Sequence, residues 1–179
     1  MAGRRCLGAA LLPLVAALTW PAPPASAPPV VEVSTARSGV ATGFETRPGR
    51  VMTVAHVLED GGSVTVRGRR AVVLRVDRRR DLAVLGVRAA PDAAPAGHGT
   101  RLLVRRDGRT RAVAARIRRR IAASIDGSAY ERPALELAAD VRPGDSGAPL
   151  VGSDGRVLGV VFASSRDRAG TAYAVDLGR

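Results

Sequence analysis

The 179-residue sequence has a single cysteine, no lysine, and aromatic residues at only 3%. Each shortage excludes something. Cys6 lies in the N-terminal apolar segment, so a chain cleaved after that segment has no disulfide and must stand on its core alone. The scarcity of aromatics removes the interleaved stacking platform on which single-stranded nucleic acid is usually held. The absence of lysine changes the meaning of the net charge of +12. All 28 basic residues are arginine, whereas a surface shaped by phosphate would accept lysine too. With Ala, Gly and Val abundant throughout, the arginine excess reads as coding bias in a GC-rich genome before it reads as a polyanion site. Helical periodicity is missing as well, which excludes a helical bundle or coiled coil, and no repeat of fixed period is present.

What is present suits many short strands joined by turns. Hydrophobic residues make up 46% of the chain, with 20 glycines and 12 prolines, enough for one domain or two small barrels sharing a cleft. The N-terminus has the pattern of an export signal: Arg4 and Arg5, an apolar run over 7–20, then the small residues Ala25-Ser26-Ala27. The run is too short for a stable membrane span. Pro28 disfavours cleavage after Ala27, so the signal is cut there, cut elsewhere, or kept as a short anchor. The expected organisation is a signal at 1–27, a Pro/Ala-rich spacer and mature N-terminus at 28–35, and a domain at 36–179. The domain divides into a first half to about 88, a linker near 89–99 and a second half from about 100. The expected location is outside the cell or in its envelope.

Apolar runs at 51–58, 63–66, 71–76 and 82–87 predict strands in the first half. Runs at 101–104, 111–117, 134–137, 150–151, 157–163 and 171–175 predict strands in the second. Glu59 to Gly62 is a turn, and Asp107-Gly108 and Asp154-Gly155 are hairpin turns. The fold class is therefore all-β, in two antiparallel units of similar length.

Three local patterns carry chemistry: Thr53-Val54-Ala55-His56-Val57, Arg80-Asp81-Leu82-Ala83-Val84-Leu85, and Pro143-Gly144-Asp145-Ser146-Gly147-Ala148-Pro149-Leu150. A serine hydroxyl is a poor nucleophile at neutral pH and needs a neighbouring base. His56 can take its proton and return it to a leaving amine. Asp81 can hold the other ring nitrogen and stabilise the imidazolium. Taken singly, each has a plainer reading: a core histidine, an aspartate paired with Arg78, Arg79 or Arg80, and a turn. Their coincidence, in the order His, Asp, Ser, favours a triad. The other histidine, His98, sits between Gly97 and Gly99 and reads as a solvated loop residue.

Together the motifs resemble the trypsin/chymotrypsin-like serine proteases, especially short bacterial members related to the HtrA proteases, over about residues 36–176. Thr42-Gly43-Phe44 resembles the glycine-containing strand that precedes the histidine segment. The resemblance implies two packed six-stranded antiparallel β-barrels with the active site in the cleft between them. It also implies an oxyanion hole from the backbone N–H groups of Gly144 and Ser146, with no metal or cofactor. Asp140, six residues before Ser146, falls at the base of the specificity pocket in relatives that cleave after arginine or lysine. Ser164 and Thr171 fall on the pocket walls, with the bulk of Phe162 nearby. The alternative makes Asp140 a solvated residue paired with Arg142, and the two stay open.

Three departures stand out. Val57 replaces a cysteine, and Ala148 replaces the second glycine after the serine, which would strain the loop if that position required φ > 0. No Ile-Val-Gly-Gly start is present, so activation by a new N-terminus paired with Asp145 has no visible counterpart; Asp145 is expected to pair with Arg142 or cap the loop. No PDZ module follows the last strand, so regulation by one is not expected within this polypeptide. The expected function is a secreted serine endopeptidase acting on protein or peptide substrates, with no specific nucleic-acid partner; nothing in the sequence sets its oligomeric state. The alternatives are an inactive homologue kept for binding, or an Arg-rich polyanion-binding module using Arg116 and Arg118 to Arg120.

Overall fold

A computed structural model describes residues 27–36, 39–59, 61–88, 97–124 and 130–178. The export signal up to Ser26 and most of the expected linker lie outside these residues. Fourteen strands form two antiparallel sheets, and the only helical element among the described residues is one 3₁₀ turn at His56–Leu58.

The first sheet contains β1 (Val30–Thr35), β2 (Gly39–Arg47), β3 (Arg50–Thr53), β4 (Val64–Val66), β5 (Arg69–Arg70), β6 (Val72–Asp77) and β7 (Leu82–Gly86), in the spatial order β5-β4-β1-β2-β3-β7-β6. The second contains β8 (Arg101–Arg106), β9 (Arg109–Ala114), β10 (Arg116–Ala123), β11 (Arg132–Ala138), β12 (Pro149–Val151), β13 (Val157–Ser164) and β14 (Thr171–Asp176), in the order β10-β11-β14-β13-β12-β8-β9. The all-β, two-unit reading is borne out, with seven strands in each sheet once the short β5 is counted.

Two expectations are corrected. Residues 30–35, placed ahead of the domain as spacer, form β1 inside the first sheet, paired with β2 on one side and β4 on the other. Val30, Val31 and Val33 are all buried, and the three β-branched side chains outweigh the two prolines that precede them. The strand expected over 51–58 stops at Thr53, because the chain turns at Val54 and Ala55 into the 3₁₀ turn that carries His56.

The Asp107-Gly108 hairpin turn is as predicted. Both residues have positive φ, 51° and 68°, the geometry that suits the twist of the flanking strands. Gly155, at φ 83°, closes the turn before β13, where Asp154 Oδ1 accepts the Arg156 N–H at 3.0 Å.

One apolar cluster joins the two sheets: Val30, Val33, Phe44, Met52 and Leu85 from the first pack with Leu103, Val151 and Val160 from the second. A smaller cluster around Leu102, Leu135, Leu150 and Ala148 lies within the second sheet. Each fully buried Val or Leu contributes about 1.5–3 kcal/mol of transfer free energy, and this shared core fixes the loops of one sheet against those of the other. The outer strands β9 and β10 are largely exposed and rich in arginine, which discourages edge-to-edge pairing, whereas the outer strand β6 exposes Val72, Val73, Leu74 and Val76.

Candidate active site

The loop entering β7 and the 3₁₀ turn hold His56 from two directions. Asp81 is buried and adopts a left-handed φ of 57°, a conformation that aspartate tolerates better than most residues. Its carbonyl accepts the Ala55 N–H at 3.1 Å, and its Oδ1 accepts the His56 N–H at 2.9 Å. Asp81 Oδ2 lies 2.8 Å from His56 Nδ1. With the carboxylate ionised, Nδ1 donates that bond, which leaves Nε2 as the acceptor nitrogen.

Ser146 stands on the loop before β12, and the loop's hydrogen bonds show an alternation. The N–H groups of Asp145, Gly147 and Ala148 donate to Arg142 O, Val161 O and Asp145 O at 3.0, 2.7 and 2.9 Å. Among the described residues, the N–H groups of Gly144 and Ser146 donate to no protein acceptor. These are the two expected for an oxyanion hole, and Gly144, at φ 94°, supplies a backbone conformation that other residues rarely adopt. Ser146 Oγ makes no hydrogen bond to His56 among the described residues.

Two residues the sequence reading did not assign to this loop hold it in place. Thr42, fully buried on β2, donates its N–H to Ser146 O at 2.8 Å and its hydroxyl to Gly144 O at 2.8 Å. The same hydroxyl accepts the Arg105 N–H at 3.3 Å, and Thr42 O accepts the Thr53 hydroxyl at 2.8 Å. The fit is close: a Cβ on Gly147 would lie 1.9 Å from Thr42 O. The second residue is Arg106, at the end of β8. Asp145 is fully buried and accepts Arg106 Nε on Oδ1 at 3.1 Å, with Arg106 Nη2 and the Arg142 N–H on Oδ2. The expectation that Asp145 caps its loop through Arg142 holds for the backbone; the ion pair is with Arg106. That hydrogen bond raises the Arg106 guanidinium above its ordinary range.

Arg132 was also unassigned. It rises from β11 of the second sheet and is buried, with Nε donating to Arg79 O at 3.1 Å and Nη1 4.0 Å from Asp81 Oδ2. Its guanidinium lies 5.7 Å from the centre of the Phe162 ring. No local motif marks it among 28 basic residues.

Ala148 does not have positive φ and is fully buried within the second cluster, so the feared strain is absent and its methyl group fills core space. Among the pocket candidates, Ser164 lines a cleft of about 650 Å³ with Ile121, Ala123, Phe162, Ala163 and Tyr173. This cleft adjoins the Ser146 loop through β13, whose Val161 accepts from Gly147 and donates to Ala148. Neither of the other two candidates lines this cleft, and of the two readings left open for Asp140 the surface pairing with Arg142 is the one observed. Asp140 is 60% exposed and bound by Arg142 at 2.8 and 3.1 Å, which lowers its carboxyl below the usual range. It is not part of the cleft; a nearby arginine two residues on captures it at the surface. Thr171 is buried at the start of β14, opposite Ala138, and does not line the cleft either. His98 is exposed, as expected of a loop residue.

The arginine run on β10 is largely committed within the chain. Arg119 and Arg168 reach the buried Glu136 at 2.9 and 3.2 Å, and Arg120 reaches Asp176 at 2.9 Å. The bond from Arg119, helped by Arg168, holds the Glu136 carboxyl below its usual range.

The family profile described as "Trypsin-like peptidase domain" matches residues 38–160. The chain belongs to the trypsin-like peptidase family. It is 37% identical over 155 residues to the serine protease Rv3671c of Mycobacterium tuberculosis, a match covering 76% of this chain and 39% of that protein. The chain thus spans well under half the length of the curated relatives it matches. The crystal structure of the Rv3671c protease in its active form superposes with a TM-score of 0.71 at 33% identity, covering 95% of this chain and 90% of that one. The HtrA-type protease AlgW with a tripeptide superposes at 0.66 and 22% identity, over 86% of this chain and 57% of that one, which is likeness of fold. These findings bear out the resemblance to trypsin-like and HtrA-type proteases read from the three motifs.

Proposed function

We propose that this protein is an exported serine endopeptidase that cleaves peptide bonds through an acyl-enzyme on Ser146. The observation that carries the reading is the pair of uncommitted N–H groups, Gly144 and Ser146, on the loop that bears the hydroxyl. A tetrahedral intermediate places negative charge on the former carbonyl oxygen, and donors already oriented toward it stabilise that charge without reorganising.

Ser146 Oγ attacks the scissile carbonyl carbon while His56 Nε2 takes its proton. Asp81 stabilises the imidazolium, and the proton then passes to the leaving amine as the scissile C–N bond breaks and the tetrahedral intermediate collapses to the acyl-enzyme. Water, activated by the same imidazole, releases the acid and restores Ser146. The missing Ser146–His56 bond is compatible with this route, because such contacts often tighten only with substrate bound. The Phe162–Ser164 segment of β13 and the apolar wall of the adjoining cleft suit an extended peptide with a small or apolar side chain, with Arg166 and Asp167 on the polar side of the cleft. Asp140 is exposed, paired with Arg142 and outside this cleft. The N-terminal pattern of Arg4, Arg5 and the apolar run supports export.

A fluorophosphonate probe tests the reading: the wild-type protein is expected to be labelled, and Ser146→Ala to lose the label. A folded wild-type protein that resists the probe would instead favour a binding homologue.

A further inference from the structure

We infer that Arg132 is a positioning residue for the proposed triad: reaching over from the second sheet, it holds Asp81 in the orientation that meets His56 Nδ1. The assignment rests on the peptidase reading and adds to it a residue that acts through Asp81.

Asp81 sits on a left-handed turn, at φ 57°, with only 4% of its side chain exposed. Both of its oxygens face His56: Oδ1 accepts the backbone N–H at 2.9 Å, and Oδ2 lies 2.8 Å from Nδ1. Nε2 can take the serine proton only from the neutral imidazole, so in the resting enzyme His56 brings no charge to balance the carboxylate. A buried carboxylate is costly unless a cation and hydrogen bonds meet it. Arg132 brings the cation. Its side chain is 2% exposed, and Nη1 lies 4.0 Å from Asp81 Oδ2, beyond hydrogen-bond distance but within ion-pair reach.

The guanidinium is itself fixed in three ways. Nε donates at 3.1 Å to Arg79 O, two residues before Asp81. The Phe162 ring lies 5.7 Å away, and the Arg132 backbone opens β11, where it pairs with Ala123 of β10. One side chain therefore ties the Asp81 turn, by its backbone and by its carboxylate, to a strand of the other sheet. Without that tie the carboxylate has somewhere else to go. Arg78, Arg79 and Arg80 directly precede it and are all exposed, and a carboxylate turned toward them and toward water leaves Nδ1 without its acceptor.

Arg132→Met keeps an apolar stem and removes the charge. It is expected to lower kcat by about 10²-fold, the scale of a catalytic group displaced by about an ångström. KM should change by less than about threefold, because Arg132 does not line the cleft. Arg132→Lys keeps the charge but loses the planar fork and should fall between, roughly tenfold down. Removing the carboxylate itself with Asp81→Asn should cost more, on the order of 10⁴-fold. In that background Arg132→Met should lower kcat by less than about threefold further, since a residue acting through Asp81 has nothing left to act on.

Nitrogen–proton correlation spectra of the imidazoles give a readout that does not need turnover. The chain has two histidines, and the exposed His98 serves as the unrestrained reference. At a pH where the rings are neutral, wild-type His56 should carry its proton on Nδ1, and Arg132→Met should move it toward the tautomer mixture of His98. Wild-type kcat and a wild-type His56 tautomer in folded Arg132→Met would overturn the inference, even with a lowered melting temperature. So would a full further loss of about 10²-fold in the Asp81→Asn background. If Arg132→Met does not fold, Arg132→Lys decides: an unchanged kcat and tautomer overturn the inference, and a reduced kcat with a shifted tautomer supports it. Should the wild-type protein prove inactive toward peptides and probe, the tautomer comparison still reads the hold on Asp81. The peptidase proposal would then fail separately.

Discussion

The sheet that carries His56 and Asp81 and the sheet that carries Ser146 order their parts by different means. In the first, the two candidate catalytic side chains grip each other directly. Asp81 holds the His56 segment by its carbonyl, by Oδ1 and by Oδ2, and the left-handed turn that aims it is local. In the second, the Ser146 side chain makes no hydrogen bond to His56 or Asp81 among the described residues. Its loop is instead tied from outside, by Thr42 across the cleft and by Arg106 at the end of β8. The first pair is held by contacts 25 residues apart within one sheet, the second by contacts 39 and 102 residues away. A nucleophile loop must expose two backbone donors, so it cannot satisfy itself and has to borrow support.

The largest expected effect removes the chemistry and leaves the scaffolding. Ser146→Ala and His56→Ala should each lower kcat by on the order of 10⁴-fold or more while the protein melts close to wild type. Steady-state peptide hydrolysis with a parallel thermal melt checks both. A His56→Ala enzyme that retained wild-type turnover would break the comparison at its better-ordered half.

Gly147→Ala attacks the borrowed support sterically. Its new Cβ would meet Thr42 O at 1.9 Å and Thr53 Oγ1 at 2.4 Å, at a φ of 89°, so roughly 3 kcal/mol or more of stability should be lost. Denaturant unfolding measures this. Ala148→Gly, one residue on, is the control: without positive φ to relieve, it should cost only about 1 kcal/mol and should not raise activity.

Thr42→Val perturbs the same loop more gently. It keeps the shape but removes the hydroxyl that bridges Gly144 O and the Arg105 N–H. A loss of about 1–3 kcal/mol is expected from the buried groups left unpaired, with kcat falling and KM largely kept. A stability loss with kcat intact would mean that Thr42 supports the fold and not the loop.

The smallest effect lies away from the site. Glu136 titrates below the ordinary carboxylate range in the folded protein, chiefly because Arg119 donates to it. A folded-state pKa below the unfolded one contributes stability above the ordinary carboxylate pKa, and that stability is lost as pH falls through the depressed value. Glu136→Gln should therefore flatten the acid limb of a plot of melting temperature against pH and leave the neutral-to-basic region parallel to wild type.

The same contrast explains what could be read from the chain. Strand alternation, the Asp107-Gly108 and Asp154-Gly155 turns, and the three motifs are short-range patterns, and they pointed to the all-β class and to His56, Asp81 and Ser146. β1 was missed because Pro28 and Pro29 drew its apolar residues into the spacer. Arg106 and Arg132 were illegible for a different reason: in a chain whose every basic residue is arginine, no local feature separates a buried, paired guanidinium from a solvated one. Asp140 was ambiguous because its offset from Ser146 fixes only its place along the chain. Its exposure and its capture by Arg142 depend on how the loop folds.

Ser146 is expected to become acylated while His56 and Asp81 assist, which intact-mass measurement during turnover of a slowly hydrolysed ester substrate can detect. A transient adduct of the acyl group's mass is expected on the wild-type protein, mapped to Ser146 by peptide mass analysis and absent from Ser146→Ala. Ester hydrolysis at the wild-type rate by folded Ser146→Ala, or an adduct that maps to another residue, would contradict it.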